Sequence, residues 1–162
     1  MRPVQVPSPL VEAIRRHARE AYPEECCGFL LARADALPID APRLIRAIRR
    51  AANASEGERR RRFVIPAEEL RSTERELEGT EQVVVGFYHS HPDYPARPSQ
   101  FDQENAWPWY SYLVLSVTAA GTAALAAFEL DADNATFREV PLVTPSADEL
   151  DPTESLRGPG AR

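Results

Sequence analysis

The sequence predicts a single α/β (α+β) domain built on a mixed β-sheet flanked by helices. Three observations carry that prediction. The chain has 162 residues, the size of one domain. At 43% hydrophobic residues it can fill a sizeable core. Its periodic segments follow the order helix, strands, helix, strand, helix, strands, which describes a mixed layered architecture rather than a bundle or a sandwich.

Taken in order, Ser8-Pro9 reads as an N-cap followed by proline at the first helical position. Leu10, Val11, Ile14, Ala18 and Ala21 then recur at helical spacing. This helix ends near Tyr22-Pro23, because proline disfavours helix in the residue before it. The apolar run from Cys27 to Ala32 reads as a buried strand, 34–42 as a loop, and the looser alternation of 43–50 as a half-buried strand. The polar stretch 51–62, ending in four arginines, reads as an exposed loop, with a short strand at Phe63-Val64-Ile65. Pro66 opens a second helix with Glu68 and Glu69 in its first turn, Leu70 and Leu77 on its inner face, and Gly79 as its C-terminal cap. Residues 82–88 are strongly β-prone, 99–107 read as a short helix, and 112–117, 123–130 and 136–143 as three further strands. The domain is expected to span 1–145. Residues 146–162 turn acidic and then Pro/Gly-rich, and predict a disordered tail.

Composition narrows the function classes. No apolar stretch is long enough to cross a bilayer, and the N-terminal segment lacks the apolar core of a secretory signal. A cytoplasmic protein with no membrane partner is the expectation. The formal net charge of -6 argues against a nucleic-acid partner, which wants a basic surface. All 19 basic residues are arginine. The two cysteines, Cys26 and Cys27, are adjacent and have no partner elsewhere for a disulfide framework. They read as small packing residues pointing to opposite faces of a strand. His17, among Arg15, Arg16 and Arg19, reads as a surface residue of the first helix.

The informative stretch is Gly86-Phe87-Tyr88-His89-Ser90-His91-Pro92, followed by Pro98-Ser99-Gln100-Phe101-Asp102. Side chains alternate along a strand, so Val83, Val85, Phe87, His89 and His91 are expected on one face. Two imidazoles at i and i+2 can converge on one ion. A connection that folds back can bring the carboxylate of Asp102, eleven residues on, to the same point. Two histidines and one carboxylate leave one tetrahedral zinc position open, the arrangement of a catalytic site. A glutamate beside an apolar strand would then serve as the base, and Glu25 lies just before Cys26-Cys27-Gly28. Each signal has a plainer alternative. Paired histidines at a strand end are often only satisfied polar groups. Ser99-x-x-Asp102 alone reads as a capping-box variant with Ser99 as N-cap.

Taken together, His89-Ser90-His91-Pro92, five residues, and Pro98-Ser99-x-x-Asp102 resemble the full signature of the JAMM (MPN+) zinc metalloproteases. Tyr22-Pro23-Glu24-Glu25-Cys26-Cys27-Gly28 is similar to the upstream segment of their small bacterial members, where the catalytic glutamate falls two residues before Cys-Gly. That alignment selects Glu25 over Glu24. The resemblance runs from about Leu10 to Val143. It implies a fold like that of the cytidine deaminases, Zn2+ on His89, His91 and Asp102, Glu25 as acid/base, and Ser99 as a stabiliser of the oxyanion. It further implies hydrolysis of a peptide or isopeptide bond after the C-terminal Gly-Gly of a ubiquitin-like sulfur-carrier protein, freeing an amino acid or a short peptide. The segment around 62–65, with the loop before it, is the candidate edge for a substrate tail added as a strand. The chain lacks the long insertions with which eukaryotic members grip ubiquitin chains.

Three other functions meet counter-signals in the sequence. A non-catalytic MPN scaffold would have lost metal ligands that this chain keeps. A RadC-like, nucleic-acid-associated protein typically carries Ser-Gly after the proline, where this chain has Asp93-Tyr94. The signature of a zinc nucleobase deaminase is absent. The sequence leaves the oligomeric state open.

Overall fold

Residues 2–37, 41–146 and 149 are described by the structure, a computed structural model. Along the chain come β1 (Val4–Gln5), α1 (Ser8–Ala21), β2 (Cys27–Arg33), β3 (Arg43–Leu44), β4 (Ala47–Ala51), α2 (Ala67–Leu77), β5 (Gln82–Pro92), α3 (Gln100–Glu104), β6 (Ser111–Thr118), β7 (Gly121–Leu130), β8 (Phe137–Val140) and β9 (Leu142–Val143). Six strands form one sheet in the order β4-β2-β5-β6-β7-β8. Only β5 and β6 run parallel in it, so the sheet is mixed. A small parallel sheet, β3-β1-β9, places β1 between β3 and β9. The predicted mixed sheet with flanking helices is therefore the observed fold.

The sheet is covered on both faces. Val11, Ile14 and Ala18 of α1 pack on one face against Leu30, Val85, Tyr88, Leu113 and Leu115. Leu70 of α2 lies on the other with Phe29, Phe87, Tyr112 and Val114. Alternate residues of β2 and β6 thus enter opposite clusters, as the two-residue period of a strand requires. The cysteines obey the same rule: both are buried, Cys26 in the first cluster and Cys27 in the second.

Several expectations need correction. The N-cap of α1 is Pro7, and Ser8 is the first residue of the helix; its hydroxyl donates to the Pro145 carbonyl at 3.3 Å instead. Residues 43–50 do not form one strand. The chain breaks at Ile45-Arg46 because Ile45 is drawn into the core while Arg43 is buried by the hydrogen bonds it makes. Arg43 Nη1 donates to the carbonyls of Val85 and Trp109 and to Ser111 Oγ, each at 2.9 Å, clamping β5 to the start of β6. Phe63-Val64-Ile65 has no strand ladder: Val64 exchanges contacts with Asn53 Oδ1 and the Ala54 amide only. The expected last strand is divided between the two sheets, and the expected helix at 99–107 is one short α3. The pair Val4–Gln5 was too short to register as a strand. His17 is not a free surface residue; its Nδ1 lies 2.8 Å from the Tyr88 hydroxyl. The predicted tail, 146–162, lies outside the described residues apart from 146 and 149.

One irregularity positions the functional residues. The β2–β5 register steps from Leu30↔Gly86 to Leu31↔Val84, leaving Val85 as a bulged residue. The alternation of β5 is reset there. Val83 and Val85 face the α1 side, whereas Phe87 joins the opposite cluster, so the five residues expected on one face are divided. Gly86 sits at the bulge because nothing larger fits: a Cβ there would come 2.1 Å from the Ser111 carbonyl oxygen. Among the described residues no helix is long and apolar enough to cross a membrane.

Candidate metal centre

The end of β5 carries His89 and His91, which follow Phe87 on the face away from α1. The strand persists to Pro92 because β2 and β6 pair with it on both sides. Beyond the last β2 pair, Cys27↔His89, Ser90 extends the ladder: its Oγ accepts from the Cys26 amide at 2.8 Å and its own amide donates to the Cys26 carbonyl at 3.1 Å. This lock brings Glu25 beside His91. Ser90 faces away from the imidazoles and was missed as a positioning residue because its signal lies only in that alternation.

Asp102 arrives from α3. Ser99 is the N-cap, its Oγ accepting from the Asp102 amide at 3.1 Å, and the Ser99 amide donates to Asp102 Oδ2 at 2.7 Å. The capping box is thus present, and the carboxylate it holds is the same one that the expected metal set includes. The cap orients the carboxylate toward the histidines. No acceptor holds the Ser99 hydroxyl proton among the described residues.

His89 Nε2, His91 Nε2 and Asp102 Oδ2 form a triangle with edges of 3.0, 3.2 and 3.2 Å. A tetrahedral ion with bonds of about 2.0–2.2 Å spaces its ligand atoms by about 3.3–3.6 Å, so the triangle is close to that size. His91 Nδ1 donates to the Pro95 carbonyl at 2.8 Å, which puts the proton on Nδ1 and leaves the Nε2 lone pair facing the triangle. Phe63 stacks on His89 with centroids 4.4 Å apart, and Tyr94 stacks on His91 at 4.1 Å. Both rings are therefore fixed in plane.

The electrostatics call for a cation. All four groups, Glu25 included, are at most 7% exposed. Burial works against the charge of Asp102, but the two imidazoles and the Ser99 amide outweigh it and hold the carboxyl far below the usual range. Burial alone would lower His89, yet Asp102 raises it, which draws positive charge into the triangle. Burial keeps His91 below its ordinary value. Asp102 Oδ1, Glu25 Oε2 and His89 Nδ1 have no partner among the described residues. A divalent ion fits this donor set and would supply the missing charge.

Glu25 Oε1 lies 3.9 Å from His91 Nε2, beside the triangle rather than in it. Burial pushes its carboxyl up to about 7, against the pull of His89 and Tyr94. The Tyr94 hydroxyl donates a short hydrogen bond to Glu25 Oε1 and lies 3.3 Å from the Arg61 carbonyl. Tyr94 and Phe63 were missed in the sequence, where an aromatic residue in a loop carries no periodic signal. The structure thus gathers all five expected residues, Glu25, His89, His91, Ser99 and Asp102. The triangle borders an apolar cleft of about 140 Å³, lined by Phe63, Ile65, Phe101 and Trp107 among others.

The family of prokaryotic homologues of the JAB domain matches residues 7–131. The desampylase of Haloferax volcanii is 36% identical over 117 residues, covering 69% of this chain and 79% of that protein. A protein from Salinibacter ruber solved in solution is 35% identical with a TM-score of 0.63, over 87% of this chain and 91% of that one. The solution structure of DSY2949 from Desulfitobacterium hafniense matches with a TM-score of 0.72 at 26% identity, over 88% and 93% of the two chains. A JAB1/MPN domain protein from Archaeoglobus fulgidus, 15% identical with a TM-score of 0.52 over 88% and 99%, is alike in fold.

Proposed function

Because the chain belongs to the family of prokaryotic homologues of the JAB domain, we propose that it is a zinc-dependent peptidase that cuts after the C-terminal Gly-Gly of a ubiquitin-like protein. The observation that carries the reading is the buried His89–His91–Asp102 triangle with Glu25 beside it. A desampylase among its relatives supports a ubiquitin-like protein as substrate. The narrower choice of a ubiquitin-like sulfur carrier rests on the resemblance to small bacterial members.

His89, His91 and Asp102 would hold the metal. When bound, zinc lowers the pKa of water to about 7 and polarises the scissile carbonyl. Glu25 takes the proton of the attacking water and delivers it to the departing amine. Burial raises this carboxyl and a bound cation would lower it again, so the two oppose each other at the group that must both take and release the proton. The C–N bond breaks as that proton arrives. The Ser99 hydroxyl, with its proton uncommitted, donates to the oxygen where negative charge develops. Tyr94 and the wall around Glu25 exclude bulk water from the carboxylate.

The tail of the substrate lies along Phe63-Val64-Ile65. Val64 turns its backbone inward to Asn53 and Ala54, so the flanking main-chain groups are offered outward for strand addition. Glycine suits a tail whose backbone must approach the triangle closely, where a Cβ would crowd that approach.

The test is elemental analysis together with mass spectrometry of a ubiquitin-like protein extended beyond Gly-Gly. Wild type carries one zinc per chain and removes the extension. Glu25→Gln keeps the zinc and loses most of the activity, whereas His91→Ala loses both. Equal zinc in wild type and His91→Ala, or full activity in Glu25→Gln, would sink the assignment.

A further inference from the structure

Two openings of different chemistry adjoin the triangle. The first is the apolar cleft along Phe63, Ile65, Phe101 and Trp107. The second is a groove of about 520 Å³ on the Tyr94 side, lined by Pro23, Arg60, Arg61, Pro92, Asp93, Tyr94 and Ser99. Pro92 follows the ligand His91, and Ser99 caps the helix that carries Asp102, so this groove starts at the site itself.

Its charge is uncommitted. Around it, arginines are engaged: Arg59 Nε donates to the Ser55 carbonyl at 2.9 Å, and Arg62 lies over the Phe101 ring at 4.8 Å. The guanidinium groups of Arg60 and Arg61 have no hydrogen bond or ion pair with any described residue. The one carboxylate of the lining, Asp93, is held by the Tyr22 hydroxyl at 2.9 and 3.0 Å. A chain of net charge -6 thus offers two free cations at this one mouth of its active site.

We infer that this groove is the leaving-group subsite and that Arg60 and Arg61 select a leaving group ending in a free α-carboxylate, an amino acid or a short peptide. The inference rests on the peptidase reading above and deepens it. Geometry sets the length. In a single-residue leaving group the carboxylate lies within about 4 Å of the departing nitrogen, and each further residue adds up to about 3.5 Å. A leaving group of one or two residues thus carries its carboxylate close to the scissile bond, whereas a lysine side chain of a folded acceptor brings no charge of that sign. A guanidinium meets a carboxylate with two parallel, charge-assisted hydrogen bonds, which gives direction as well as attraction.

The experiment uses one ubiquitin-like protein extended after Gly-Gly by a single residue, made once as the free acid and once as the C-terminal amide. Zinc-loaded wild type and the Arg60→Gln/Arg61→Gln double variant are compared by kcat/KM. Wild type should prefer the acid by about 10-fold or more, mostly through KM. The double variant should handle acid and amide alike, and Arg60→Lys/Arg61→Lys should keep part of the preference. Equal rates for acid and amide in wild type would overturn the inference. So would a preference that survives in the double variant. Equal losses for acid and amide would assign the arginines to the body of the carrier instead and also overturn it. A wild-type protein that cleaves neither substrate refutes the peptidase reading itself, a result distinct from all of these.

Discussion

Replacing Tyr94 by Phe removes one hydroxyl from the site and little else. The ring stays stacked on His91, since the 4.1 Å centroid contact needs only the aromatic face. What disappears is the donor to Glu25 Oε1. Glu25 Oε2 already lacks a partner among the described residues, so the variant leaves a buried carboxylate with neither oxygen bonded. A hydrogen bond to a charged group contributes about 1.5–3 kcal/mol. Part of that loss is relieved by protonation, because burial has already raised Glu25 to about 7 and removal of the donor raises it further. A stability loss of about 1–2 kcal/mol is therefore expected near neutral pH. The effect on turnover is larger if the bond also aims the carboxylate. A loss of about 1.5 kcal/mol of aim costs roughly 10-fold in kcat, with KM changed less than about 2-fold. Urea denaturation, elemental analysis and steady-state kinetics on the extended ubiquitin-like protein measure the three consequences. Unchanged stability and kcat in a variant that keeps its zinc would refute the reasoning. A stability loss with normal kcat would reduce Tyr94 to a packing residue.

Gly86→Ala should be the most damaging small substitution in β5. Its Cβ would lie 2.1 Å from the Ser111 carbonyl, a backbone atom that no rotamer change can move, so β5 and β6 must part. A loss of about 3 kcal/mol or more, with reduced zinc content, is expected in denaturation and elemental analysis, and near-wild-type values would refute the clash. Stability should also fall in mild acid through His17. Burial and nearby Arg50 lower its pKa from 6.5 to about 4, so its contribution is full above about 6.5 and is lost as pH falls toward 4. After solvent screening this is worth about 1–2 kcal/mol, and a stability–pH curve for His17→Gln as steep as that of wild type would exclude it. Cys26 and Cys27 should be dispensable for the reaction. Burial pushes the Cys26 thiol up to about 11 and the Cys27 thiol higher still, so neither is a nucleophile at neutral pH. Cys26→Ser or Cys27→Ala variants that keep fold and zinc yet lose turnover would contradict this.

Much of the site was legible because its signals are local. His89, His91 and Asp102 lie within fourteen residues, and the two-residue period of a strand and the cap of a short helix fix how their side chains point. Helix α2 and the paired cysteines likewise follow from proline, glycine and alternation alone. Glu25 was legible only through resemblance, since nothing local separates it from Glu24.

What the sequence left undecided depends on contacts between distant segments. The bulge at Val85 resets the face of β5 because Gly86 must pass Ser111, and only the neighbouring strand reveals that crowding. Arg43 looks like any half-buried strand residue until three carbonyl and hydroxyl acceptors, from β5, from β6 and from Trp109 just before β6, converge on it. Tyr94 and Arg61 are separated by 33 residues, and their meeting beside Glu25 is a product of the β2–β5 pairing. The sequence alone thus determined the fold class, through periodicity, and named His89, His91 and Asp102 as the candidate ligand set, through a motif whose spacing resembles a family signature. The tertiary structure alone decided which uncharged and basic groups surround that set, because burial and hydrogen bonding across the sheet are properties of no single segment.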